Sequence, residues 1–242
     1  MVQRILFVAL LALVISLPPP RSMPTAPIAQ PRALILSSTQ SQYPMQYLNE
    51  VTTELRDAGY NTTFLSGSAI TVNLITTQLD QYDIVIWRTD TYLWGNTTYW
   101  YLGQQGNQRT YAGTIGIGTI DIRNGMLAVS ADFFSTYLRP NSLTHIKLAI
   151  LASSMSITIA QALIAAGVKT TIDFYQDLYQ DLEAPPSLFD WVTWSLIGYL
   201  TTGNTVSQAI YKTIYYFEDV GSIEYTYLPP ISFLGNGNLL IV

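Results

Sequence analysis

The sequence lacks cysteine altogether and has a single histidine among its 242 residues. Without cysteine the chain can form no disulfide, no cysteine-bearing zinc or iron–sulfur site and no Cys–His nucleophilic pair. Charge is also scarce, because Asp, Glu, Lys and Arg together make up 11% of the residues and the formal net charge is −5. We therefore expect no nucleic-acid partner, since a phosphate backbone requires a basic surface. Hydrophobic residues reach 49%, which excludes an intrinsically disordered chain.

The N-terminus has the pattern of a secretory signal peptide. Residues 1–4 carry one positive charge, residues 5–17 form a largely apolar run, and prolines occupy positions 18–20. A helix over this run rises roughly 20 Å, short of the roughly 30 Å hydrocarbon core of a bilayer. We predict a signal peptide over residues 1–17, with cleavage as late as about residue 29, and no stable membrane span in the mature form. An uncleaved short anchor and a buried helix are the alternatives.

The predicted signal peptide indicates a protein that is secreted or displayed at the cell surface. Two Asn-x-Thr sequons agree with this location and make Asn61 and Asn96 candidate glycosylation sites. Residues 18–31 hold six of the 12 prolines and are predicted to form an extended linker. A single folded domain is then expected over residues 32–242.

Strand and helix patterns alternate along this domain. Apolar runs predict strands, and apolar residues at helical spacing predict helices. The predicted strands are 32–39, 61–66, 82–88, 145–154 and 168–174, and the predicted helices are 43–59, 70–79, 157–166, 187–200 and 205–217. Residues 92–125, including the glycine-rich stretch 113–118, are predicted as a β-hairpin excursion, Ser130 as a helix cap, and 231–242 as a closing strand or hairpin. This order predicts an α/β fold, a three-layer α/β/α sandwich with a mostly parallel central sheet.

The order of several local motifs resembles the caspase-like fold, especially the gingipain-type domains of secreted archaeal and bacterial proteins. The matching stretches are residues 33–36 and 57–60, the third strand 82–88, the helix entry 127–134, the segment 160–168 and the terminal stretch 233–239. The resemblance implies a catalytic histidine after the third strand and a catalytic cysteine after the fourth. Asp90 and Ser154 occupy those positions here. The expected function is therefore that of a catalytically inactive domain without a cofactor, with a binding or structural role, for example as a subunit of an extracellular assembly.

A hydrolase that uses Ser154 is the alternative within the enzyme class. A serine hydroxyl needs a base within hydrogen-bond reach. His145 is predicted at the opposite end of the same strand, about 30 Å away. Asp90 would serve as the base only if burial raised the pKa of its carboxyl.

Aromatic residues predict a ligand surface at the carboxyl edge of the sheet, where open α/β folds bind their ligands. The candidate ligand-binding residues are Tyr92, Trp94, Trp100, Tyr175 and Trp191. They favour either a glycan, and thus a carbohydrate-binding or adhesive module, or a protein partner, by self-assembly or with another surface protein. The alternative is that they only cover the core.

Acidic residues after the fifth predicted strand are weak candidates for a metal site. Asp173, Asp177 and Asp181 have near-helical spacing, and clustered carboxylates suit calcium. The loop pattern of a dedicated calcium site is missing. We therefore interpret them as a solvated acidic face and expect no bound metal.

Overall fold

A computed structural model describes residues 29–38, 46–174, 186–219 and 231–242 of the protein. Its strands are β1 (Arg32–Ser37), β2 (Asn61–Ser66), β3 (Ile84–Arg88), β4 (Thr91–Trp94), β5 (Thr97–Gln105), β6 (Ile120–Arg123), β7 (Met126–Ser130), β8 (Leu148–Ala152), β9 (Thr170–Phe174) and β10 (Ile231–Gly235). Its α-helices are α1 (Gln46–Asp57), α2 (Val72–Thr77), α3 (Gln108–Gly116), α4 (Ala131–Tyr137), α5 (Ile157–Ala165), α6 (Pro186–Thr201) and α7 (Val206–Asp219), and 3₁₀ turns lie at Gly67–Ala69 and Leu79–Gln81.

Six strands form the central sheet, in the order β10-β9-β8-β3-β1-β2. Neighbouring strands are parallel from β2 through to β9, and β10 alone runs antiparallel. The central strands are fully buried and apolar on both faces, as parallel strands covered by helices should be. The predicted three-layer α/β sandwich with a mostly parallel sheet is confirmed.

Two apolar cores lie on opposite faces of this sheet, because successive side chains of a strand point to opposite sides. On one face Leu36, Val85 and Leu151 pack with α4, α5 and residues of β5 and β7. On the other face Ile86 and Ile150 pack with α1, α6 and α7. The carboxyl ends of β3 and β8 therefore meet between two helical layers.

The excursion between β3 and β8 is larger than the predicted hairpin. It forms a second, antiparallel sheet in the order β4-β5-β7-β6, and α3 is inserted before β6. Gly103 of β5 lies so close to the Gly67–Ala69 turn that an added Cβ would stand 1.6 Å from the Gly67 carbonyl oxygen. Only glycine permits this approach of the second sheet to the first.

Three local predictions are corrected in this region. Residues 113–118 were expected in a hairpin, yet most of them belong to the end of α3, whose start is capped by the Asn107 side chain accepting from the Arg109 amide at 2.9 Å. Residues 126–130 form β7, so that α4 begins only at Ala131. Ser130 is the residue before α4, but its hydroxyl donates to the Gly118 carbonyl instead of capping the helix.

The fourth strand of the central sheet is shorter than predicted. The strand β8 covers Leu148–Ala152, whereas a strand over 145–154 was expected. The His145 and Lys147 side chains are exposed and contact acidic residues at the amino edge of the sheet. Ser154 is consequently a loop residue beyond the carboxyl end of β8.

Candidate functional site

Asp90 and Ser154 lie at the same edge of the sheet, each two residues beyond the end of its strand. The strands β3 and β8 pair in parallel with Arg88 opposite Ala152. Thr91, the residue after Asp90, reaches across this edge, and its Oγ1 atom lies 2.8 Å from the Ser154 Oγ atom. Ser154 thus contacts the residue that follows Asp90.

The hydroxyl of Ser154 is engaged by another hydroxyl. Thr91 Oγ1 also donates to the Ser154 carbonyl oxygen at 3.2 Å. Within the hydroxyl pair itself, either Thr91 or Ser154 can be the donor. Within the described residues no hydrogen bond joins Ser154 to the Asp90 carboxylate.

The Asp90 carboxyl is exposed at this edge. Partial desolvation by its surroundings raises its pKa above the ordinary value, and the Arg88 guanidinium opposes that rise. His145 lies at the other end of β8, which spans about 16 Å. Its Nδ1 atom is 3.8 Å from an Asp80 carboxylate oxygen and its side chain is 76% exposed.

A buried ion pair lies directly behind the edge, and nothing in the sequence pattern predicted it. Arg88 ends β3, and its Nη2 atom donates to Asp190 Oδ2 of α6 at 2.9 Å while Nε donates to Oδ1. Both side chains are 7% exposed. Burial raises the pKa of the Asp190 carboxyl, and the Arg88 guanidinium opposes this effect. The signals available in the sequence were an arginine at the end of the apolar run of β3 and an aspartate within the largely apolar α6.

Tyr47 lies next to this ion pair. Its hydroxyl is buried near the Thr193 hydroxyl, but neither group completes a hydrogen bond of good geometry within the described residues. Burial raises the pKa of Tyr47, and Asp190 raises it further. The phenol therefore stays protonated and contributes no charge to the edge.

Tyr92 and Trp94 form an aromatic surface on the second sheet, next to Asp90 and Thr91. The Tyr92 ring stacks on Tyr99 at 5.4 Å, and its hydroxyl donates to Asp121 Oδ2 at 2.8 Å. The Arg123 guanidinium lies 4.6 Å from the Tyr92 ring centroid and 5.2 Å from that of Trp94. Trp94 is 63% exposed. Of these two candidates Trp94 presents an exposed ring, whereas the Tyr92 ring is half-buried and contacts Tyr99 and Arg123.

Trp100 is not available to a ligand, which corrects its prediction as a binding residue. Its side chain is fully buried, and its ring meets Trp87 edge-on at 5.3 Å. The reason is its position on the inward face of β5, opposite Val129 of β7. The crowding of aromatic residues in the sequence did not distinguish this core tryptophan from its exposed neighbour.

The remaining candidates are dispersed. Trp191 of α6 is about half exposed and packs edge-on against Trp194, on the helical face opposite the second sheet.

Asp173 is buried in β9 and accepts from Ser232 at 2.9 Å, so it is not part of a solvated acidic face. The side chains of Asn61 and Asn96 are exposed. The other three candidates, Tyr175, Asp177 and Asp181, lie outside the described residues.

Two features are absent from the described ranges. No group of three or more His, Asp or Glu side chains there is arranged to hold a metal ion. Nor is any helix among them long and apolar enough to cross a bilayer.

No protein-family model and no curated protein matches the chain. Among solved structures, the Streptococcus pneumonia TIGR4 flavodoxin is similar at 15% sequence identity and a TM-score of 0.30, over 57% of this chain and 77% of its own. A likeness this slight carries no argument about fold family or function.

Proposed function

We propose that this chain is a catalytically inactive, gingipain-type caspase-like domain that is exported and has a binding or structural role at the cell surface. The observation that carries the proposal is the hydroxyl pair of Thr91 and Ser154 at the ends of β3 and β8. The resemblance requires a nucleophile and a base at this edge. Here these positions are occupied by a serine, whose hydroxyl is hydrogen-bonded to a threonine hydroxyl, and by an aspartate.

The chemistry of these groups supports inactivity. A serine hydroxyl becomes a nucleophile when a base removes its proton, and a threonine hydroxyl is no base near neutral pH. Desolvation raises the pKa of the Asp90 carboxyl, as a base would require, but this carboxylate forms no described hydrogen bond with Ser154. The single histidine lies at the opposite edge. The Ser154 hydrolase remains the alternative that a covalent probe would reveal.

We expect no covalent labelling of Ser154 by a serine-directed fluorophosphonate. The protein would be incubated with the probe beside an active serine hydrolase in the same tube, and adducts would be located by mass spectrometry. Ser154→Ala provides the matched control. An adduct on Ser154 that disappears in Ser154→Ala would overturn the proposal and restore the hydrolase.

A self-assembling structural role is supported by the edge strand β2. It pairs with β1 on one side, and no described strand pairs with its other side. Its sequence, NTTFLS, contains neither a charged residue nor a proline. Charged residues and prolines are two of the means by which proteins usually protect an exposed edge strand. The Asn61 amide donates to the Pro31 carbonyl, so alternation directs the Thr62 and Phe64 amides outward. A second copy can pair with these groups in an antiparallel, two-fold arrangement.

Thr62→Pro is therefore expected to weaken self-association at least about tenfold in sedimentation equilibrium. Proline removes an outward amide and is tolerated on an edge strand, so the bonds to β1 stay intact. Thr62→Val, which keeps the amide, should associate like the unmodified protein. Equal association of the proline and valine variants, or a monomer at every concentration, would contradict assembly through β2.

A carbohydrate-binding module is the second candidate, favoured by the exposed Trp94 ring beside Arg123. An exposed aromatic face with an adjacent hydrogen-bond donor can stack on a sugar ring and hold its hydroxyls. With Trp100 in the core, this candidate rests on Trp94 and Tyr92.

A further inference from the structure

The second sheet has an outward face that carries aromatic and charged side chains. Trp100 of β5 and Val129 of β7 point into the core, so the residues next to them on each strand point away from it, because side chains alternate along a strand. We refer to the outward set as the outer face. Its members are Tyr92 and Trp94 of β4, Tyr101 of β5, and Asp121 and Arg123 of β6.

Arg123 is held on the outer face by two aromatic rings. Its guanidinium lies 4.6 Å from the ring centroid of Tyr92 and 5.2 Å from that of Trp94. Since β6 and β4 form opposite edges of this sheet, the arginine side chain reaches across it. The two ring contacts restrict the guanidinium before a ligand arrives, which lowers the entropy cost of binding.

The charge of Arg123 is not neutralised by an ion pair within the described residues. Asp121 lies two residues earlier on the same face, but its Oδ2 atom accepts the Tyr92 hydroxyl and its Oδ1 atom the Ile122 amide, both at 2.8 Å. A positioned guanidinium without a carboxylate partner can donate two parallel hydrogen bonds to an anion. The net charge of the chain, −5, repels anions at long range, but salt screens that repulsion beyond about 10 Å.

The groups around the guanidinium suit a sugar ring. Trp94 is 63% exposed, so its indole is open to a ligand beside Arg123, and an exposed aromatic face can stack on a sugar. Desolvation raises the pKa of the Tyr101 phenol and the Arg123 charge opposes that rise, which shows that these two groups are close. The Tyr101 hydroxyl has no hydrogen-bond partner among the described residues and its side chain is only partly buried. It can therefore bond to a hydroxyl of the ligand.

The same groups select the kind of anion. The Asp121 carboxylate on this face repels a doubly charged phosphate more strongly than a singly charged carboxylate. The carboxylate of an acidic peptide side chain lacks a ring that could stack on Trp94. A sugar that bears a carboxylate satisfies both the arginine and the indole.

We propose that the outer face binds an acidic sugar residue of the hexuronate class. Its carboxylate accepts from Arg123, its ring stacks on Trp94, and one of its hydroxyls bonds to Tyr101. This inference rests on the carbohydrate-binding candidate and names the class of sugar.

The test is a titration of the full chain with methyl glucuronide and methyl galacturonide, followed through the indole ¹H–¹⁵N resonance of Trp94. The neutral comparisons are methyl glucoside and methyl galactoside, which have a hydroxymethyl group where the uronides have the carboxylate. We expect saturable shifts with at least one uronide, with a Kd on the order of 1 mM, and at least about tenfold weaker binding of its neutral counterpart.

Two arginine variants assign this selectivity to Arg123. Arg123→Gln removes the charge and the planar fork of donors, so it should weaken uronide binding at least about tenfold and leave binding of the neutral sugar unchanged. Arg139→Gln removes an equal charge from an exposed position beyond the end of α4 and should bind like the unmodified protein. An unchanged indole resonance of the buried Trp100 would show that the core of each variant is intact.

The outcomes distinguish this inference from the candidate on which it rests. Equal affinities for a uronide and its neutral counterpart, or full uronide affinity in Arg123→Gln, would overturn the acidic sugar and keep the carbohydrate-binding candidate. No shift with any of these sugars would overturn both. If N-acetyl-glutamate amide bound as tightly as the uronides, an acidic peptide would replace the sugar as the ligand.

Discussion

Replacing Arg88 by alanine is expected to lower the free energy of unfolding by about 3–5 kcal/mol. Arg88 and Asp190 join the end of β3 to α6, and both side chains are 7% exposed. Removing the guanidinium leaves the Asp190 carboxylate buried without its bidentate partner, and that isolated charge is the main source of the loss. Urea denaturation, followed by circular dichroism, measures the change.

The exposed ion pair of Lys147 and Asp83 provides the matched control. Its atoms are 3.0 Å apart, but the lysine side chain is 49% exposed, so Lys147→Ala should cost less than about 1 kcal/mol. The double variant Arg88→Met/Asp190→Leu, which buries no charge, should be more stable than Arg88→Ala. If Arg88→Ala and Lys147→Ala had equal effects, the ion pair behind the edge would not be a stabilising element.

Two tryptophans of the same excursion should respond to alanine substitution in opposite ways. Trp100 is fully buried against Trp87, and its truncation opens a large cavity that should cost about 3–5 kcal/mol of unfolding free energy. Trp94 is 63% exposed, and its truncation should change stability by no more than about 0.5 kcal/mol. Thermal and urea unfolding of the two variants measure the difference directly.

The Trp94→Ala and Trp100→Ala variants also distinguish a role in core packing from a role in ligand binding. Because Trp94→Ala is expected to keep the fold, glycan binding measured with this variant reports on the exposed ring alone. Binding lost in Trp94→Ala would support the carbohydrate-binding candidate, and binding unaffected by the substitution would end it. A Trp100→Ala protein as stable as the unmodified chain would contradict the assignment of Trp100 to the core.

The sequence predicted those parts of the fold in which local pattern and tertiary environment agree. The run 82–88 is apolar on both faces because β3 is covered by helices on both sides, and this made it recognisable as a buried strand. The excursion was misassigned because Ile115 and Ile117, separated by glycines, imitate the alternation of a strand. The cap that starts α3, Asn107, lies several residues earlier.

The candidate site, like the fold, could be predicted only in part. Asp90 and Ser154 could be placed at one edge because each follows a recognisable strand of the sheet. The contact of Thr91 with Ser154 and the pairing of Arg88 with Asp190 could not be predicted, since they join positions 63 and 102 residues apart. Such contacts depend on how the chain packs in three dimensions, and no local pattern records them.

The adjacency of β3 and β8 also has a consequence for how the protein is made. Roughly 60 residues, including the whole second sheet, separate these two neighbouring strands in the chain. At about 5–20 residues per second, a ribosome needs several seconds to synthesise that interval. During this time β1, β2 and β3 can assemble, but the edge of β3 that later receives β8 is unpaired. The growing chain is therefore most exposed to aggregation before residue 148 emerges, and closing this long loop should dominate the folding time.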